Sequence, residues 1–96
     1  MFGLNIYMRV ETEKDFPALR QHFNVWRKRH SMFVHDVNRI EHIVEDHIQK
    51  YSIALVYYRQ TKKRSYIDQA QQQLDEINKL IDTIEKIELM SMLSRG

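Results

Sequence analysis

From Ala18 to Arg95 the chain contains neither glycine nor proline; its two glycines are Gly3 and Gly96, and its one proline is Pro17. Turns and hairpins draw on these residues for left-handed or pre-set backbone angles. So long a stretch without them points to long helices and an all-α fold. At 96 residues the chain makes a single helical domain. A domain this small buries only about 60–65% of the surface its unfolded form exposes, and such chains often gain stability by oligomerising.

Residues 2–10 differ from the rest. Phe2, Leu4, Ile6, Met8 and Val10 alternate with Gly3, Asn5, Tyr7 and Arg9, which is the period of a strand. No second strand pattern follows, and a lone strand is not stable by itself. The segment is read as an extended arm over residues 1–14. Pairing with its own copy, addition to a partner's sheet and a disordered or helical lead-in stay open as its modes.

Thr12 to Pro17 is a helix start. Asp15 can accept from a first-turn amide, and Pro17 suits a position whose N–H would be unpaired. From there the apolar stripe runs Leu19, Phe23, Trp26, His30, Phe33, Val37, Ile40, Val44, His47, Tyr51, Ala54, Tyr58 in steps of four and three. That is the seam of a coiled-coil-like helix, expected over 15–61. Residues 59–65 are wholly polar, and Ser65 with Asp68 is a weak form of the capping box. A second helix is expected over 66–93, with Ile67, Ala70, Leu74, Ile77, Leu80, Ile81, Ile84, Ile87 and Met90 on its apolar face. The fold expected is a long antiparallel helical hairpin, tip near 60–65, with a short N-terminal extended arm. One unbroken helix through the tip is the competing reading.

The two helices differ in length, roughly 66 Å against roughly 42 Å at 1.5 Å per residue. In the hairpin Leu93 reaches about as far as Val34, leaving Leu19, Phe23, Trp26 and Phe33 uncovered. Such side chains bring roughly 1.5–3 kcal/mol each when buried, and a bare stripe of them invites aggregation. Either the helix breaks near Arg29–Ser31 and folds back, or it stays straight and meets a second chain. The uninterrupted heptad register across residues 26–37 favours the straight helix. On that reading Leu19, Phe23, Trp26, His30 and Phe33 are interface anchors.

Charge is uneven. Residues 1–64 hold twelve Lys/Arg against seven Asp/Glu, and residues 65–96 hold three against six. The halves suit pairing with each other as well as they suit an acidic ligand. Arg27-Lys28-Arg29, with Arg20, are candidate phosphate contacts, and Lys62-Lys63-Arg64 is a second cluster. The five histidines, His22, His30, His35, His42 and His47, show no His-Glu-x-x-His or Glu-x-x-His spacing. His42 and Asp46 stand i, i+4 but would need further ligands from another helix. They are read as surface groups, with His30 and His47 hydrogen-bonded in a seam; no metal or cofactor is expected. There is no cysteine, so no disulfide or thiolate site. No apolar run approaches the roughly 18 residues of a membrane span.

Arg29-His30-Ser31-Met32-Phe33-Val34-His35 has an Arg-(polar)-x4-His spacing that resembles the signature of HEPN-type ribonucleases, whose arginine and histidine act on a scissile phosphate across a dimer cleft. The resemblance covers seven residues of 96. The motif stands early in the chain rather than near its end, and the chain is short for that four-helix fold. It implies a remote third reading, a phosphodiesterase using Arg29 and His35.

The sequence thus leads to a non-enzymatic helical interaction module: an adaptor, assembly subunit or small regulator, intracellular and cytoplasmic. It would act as a homodimer or on a partner protein, not on a membrane. The alternative is a nucleic-acid-binding regulator using Arg20, Arg27, Lys28 and Arg29.

Overall fold

A computed structural model describes residues 8–29 and 31–94. Among them the chain is all-α and without strands: α1 (Phe16–Arg29), α2 (Val34–Thr61) and α3 (Arg64–Ser94), with 3-10 turns at Glu13–Asp15 and Ser31–Phe33. The hairpin is α2 and α3, which supply the main packing between elements. Across it Tyr57 stacks on Tyr66, and His47 Nδ1 meets Gln73 Oε1 at 2.6 Å. Val37, Ile40, Val44, Ile48, Tyr51 and Ala54 share one buried cluster with Ala70, Leu74, Ile77, Ile81 and Ile84. These are the heptad positions of the two helices, with Ile48 added.

The tip is tighter than the polar run 59–65 implies. Only Lys62 and Lys63 lie outside helix. Lys62 takes φ 60°, a left-handed cap, and donates its N–H to Tyr58 O at 2.7 Å. Glycine is the usual residue there, so the sequence carries no turn signature at the sharpest bend. Ser65 lies inside the first turn of α3 and caps nothing.

The helix expected over 15–61 is two helices. The chain turns through Ser31–Phe33, and α1 folds back antiparallel on the first half of α2. Phe16 meets Tyr51 edge-on at 5.5 Å, Arg20 pairs twice with Glu45 at 2.9 and 3.0 Å, and Arg27 pairs with Glu41. Turning back buries Leu19, Phe23 and Trp26 within the chain, at roughly 1.5–3 kcal/mol each. That outweighs the few helical hydrogen bonds lost at the bend, each worth about 1 kcal/mol net. The capping chemistry agrees. Thr12 Oγ1 accepts from Lys14 N, and Asp15 Oδ2 accepts from the N–H groups of Glu11 and Thr12, a full capping box.

The arm is described from Met8 onward; the remainder of the expected 2–10 strand lies outside the described residues. Met8 and Val10 are buried and Arg9 between them is half-exposed, the alternation read from the sequence. Among the described residues no strand pairs with it. Instead the Asn78 side chain accepts from Val10 N at 2.9 Å and donates to Val10 O at 3.0 Å. Arg9 reaches Asp82 at 2.6 Å and Glu85 at 3.8 Å. The arm therefore lies along α3.

Candidate functional site

Three of the five expected interface anchors point inward. Leu19, Phe23 and Trp26 are 0%, 1% and 4% exposed, and the Phe23 and Trp26 rings meet edge-on at 5.2 Å. They cannot serve as a docking stripe in this fold, because the bend turns them onto α2. Phe33 is half-buried in the 3-10 turn. His30 lies outside the described residues.

The basic face of α1 is likewise spent on internal contacts. Arg20 is engaged by Glu45, Arg27 by Glu41, Asn38 and Asn24, and Arg29 by Glu88 at 2.5 Å. Of the four expected phosphate contacts only Lys28 is exposed without an ion pair. The Arg29 pairing also occupies the arginine of the ribonuclease-like spacing, while His35 stands exposed in the first turn of α2. His22 leans on Trp26 at 5.4 Å, His42 is exposed, and His47 is tied to Gln73 within the chain's own hairpin. Among the described residues no three His, Cys, Asp or Glu groups gather as metal ligands, and no helix is long and apolar enough to cross a membrane.

Val25, Ile43, Ile53, Val56 and Ile67 are exposed along the helices, but among the described residues two surfaces stand out, one at each end of the 54 × 26 × 18 Å body. The first is apolar. Because the tip is tight, Glu88 already lies against the end of α1, and α3 continues beyond it to Ser94. Leu89, Met90 and Leu93 on this overhang are exposed, Leu93 by 70%, and Met32 in the turn at the same end is 90% exposed. The sequence marks Met90 as apolar but places Leu93 level with Val34, so the overhang is missed. Beside it, burial pushes the Glu85 carboxyl above its ordinary range; Arg9 pulls it down, and Asp82 and Glu88 push it up.

The second surface is basic. Arg59, Lys62, Lys63 and Arg64 surround the tip, all exposed, and among the described residues none has a carboxylate partner. Lys62 Nζ sits 5.7 Å from the Tyr58 ring. The tip lies beyond α1, where the body is two helices thick.

No protein-family model, curated protein or solved structure matches the chain significantly.

Proposed function

We propose that the chain is a non-enzymatic helical interaction module that works by self-association through its apolar end. The observation that carries this is the α3 overhang, with Leu89, Met90 and Leu93 exposed at the same end of the body as Met32. Large apolar groups gathered at one place mark an interaction surface more often than a solvated one. A second copy fits best, because an isologous twofold contact sets the same side chains against themselves. The overhang runs about 9 Å past Glu88, so the dimer is a weak one, below the roughly 800 Å² per partner of a stable interface. An intracellular, cytoplasmic setting goes with this reading.

The test is solution mass by light scattering over a roughly hundredfold range of protein concentration. The mass should rise from the 11.7 kDa of one chain towards twice that. Leu89→Asp with Leu93→Asp should hold it at one chain without loss of helicity, both positions being exposed. A wild type that stays at the mass of one chain throughout would refute self-association.

A further inference from the structure

The basic tip carries a different function. We propose that it binds single-stranded nucleic acid, with Arg59, Lys62, Lys63 and Arg64 on the phosphates and one base against the Tyr57–Tyr66 pair.

The charge comes first. Elsewhere among the described residues each arginine is paired with a carboxylate: Arg9 with Asp82, Arg20 with Glu45, Arg27 with Glu41, Arg29 with Glu88 and, one turn away on its own helix, Arg39 with Asp36. At the tip four cations fall within six residues and none is so paired. Lys14, Lys28 and Lys86 also lack an ion pair among the described residues, but they stand singly; the unpaired cations cluster at the tip, where an anion is drawn most strongly.

Helix polarity adds to this. Arg64 opens α3, whose first turn holds no acidic residue. A helix start favours negative charge and repels cations. Lys63 and Arg64 therefore stand against the dipole, and no side chain among the described residues caps the first turn. A phosphate at this point satisfies the side chains and the amides together.

The rings supply what the charges lack. Tyr57 and Tyr66 sit on different helices, with centroids 5.4 Å apart and planes 25° from parallel. Tyr57 is exposed and Tyr66 half-buried. Ile53, Ala54, Gln69 and Gln73 line an open trough of about 260 Å³ beside them, with Lys50 in its wall. That is smaller than the roughly 300–1,000 Å³ of sites for drug-sized ligands, and suits one flat ring. Exposed aromatics beside a cationic track are how single strands are held without sequence preference. Glutamine amides along the trough offer donors and acceptors to a base edge. A bilayer surface would instead need one continuous apolar face to insert, and the trough wall is mixed. In sequence Tyr57, Tyr58 and Tyr66 flank the basic cluster; what the hairpin adds is the stacking of Tyr57 on Tyr66 across the turn.

The experiment is fluorescence anisotropy of a labelled oligothymidylate about 15 nucleotides long, titrated with the full chain over about 20 to 200 mM salt. With three to four phosphates neutralised, log affinity should fall against log salt with a slope of about −2 to −3. Lys63→Glu with Arg64→Glu should weaken binding at least roughly tenfold, and acidic groups at a helix start favour the helix, so unfolding cannot imitate the loss. Tyr57→Ala should weaken binding about tenfold with the salt slope unchanged, the mark of a lost stacking contact. Lys28→Glu, on exposed α1 surface, should change little. The proposal is overturned by absence of binding or by an unchanged affinity for Tyr57→Ala. It is equally overturned by equal affinity for duplex of the same length, or by binding to phosphatidylserine vesicles in place of the oligonucleotide.

Discussion

Replacing Trp26 by alanine tests the bend in the chain directly. In this fold the side chain is 4% exposed and packs edge-on against Phe23 and beside His22. A buried aromatic removes roughly 150–250 Å² from water, worth about 4–6 kcal/mol at 25 cal/mol per Å². Partial collapse of the site brings the expected loss to roughly 3–5 kcal/mol. A chain of this length holds about 5–14 kcal/mol in all, so about a fifth or more of the stability goes. With a urea slope of about 1.5 kcal/mol per M, the midpoint should fall by about 2–3 M. The shift should be the same at low and high protein concentration, because every neighbour of Trp26 is in its own chain. A straight helix with Trp26 in a dimer seam makes the opposite demand: the shift would vary with concentration, and wild-type Trp26 emission in the dilute chain would be readily quenched by acrylamide. Either result, or a midpoint change below about 0.5 M, would refute the folded-back arrangement.

Two further expectations concern the ends of the fold. Asn78→Ala leaves both polar groups of Val10 without their partner, at roughly 1–3 kcal/mol for each buried group; trypsin cleavage after Arg9 should accelerate, while Asn78→Asp, which keeps the acceptor, should lie between. At the start of α1, the amides of Glu11 and Thr12 hold the Asp15 carboxyl below its ordinary 3.8. Its contribution is full above that value and is lost as pH falls through the lower folded-state value. The melting-temperature gap between wild type and Asp15→Asn should therefore be constant near neutrality and close only in strong acid; a gap that closes above pH 5 would contradict the assignment.

How far these features could be read from the sequence depends on whether their cause is periodic. The hairpin is legible because Val37, Ile40, Val44, Tyr51 and Ala54, and opposite them Ala70, Leu74, Ile77, Ile81 and Ile84, repeat at helical spacing and meet no breaker. The bend is not legible from the same pattern. A 3-10 turn at Ser31–Phe33 advances the chain almost in helical step, so the register from Trp26 to Val37 survives a change of direction. Its signal lies in the length mismatch, which leaves large side chains without cover in a straight helix. Fates of charges are harder still. Arg20, Arg27 and Arg29 look like a free basic face because their acids stand 25, 14 and 59 residues away. The Asn78 contact has no linear signature; a single asparagine beside the apolar face of α3 does the work of a neighbouring strand. The tyrosine pair at the tip becomes visible only when the turn is known to be two residues long.

The contact between Asn78 and Val10 spans 68 residues of sequence, and this has a consequence for the order in which the molecule assembles. During synthesis α1 and α2 emerge together and can cover the aromatic stripe between them. The arm has nowhere to settle until Asn78, Asp82 and Glu85 have been made. Long-range contacts of this kind form late, since the loop they close must be ordered first. They also open early, ahead of the global transition. Amide exchange should show it as a gradient. Val44, Ile77 and Ile81, at the centre of the hairpin, should exchange only on complete unfolding. Val10, buried to the same depth, should exchange far sooner, because it is released when one side chain lets go.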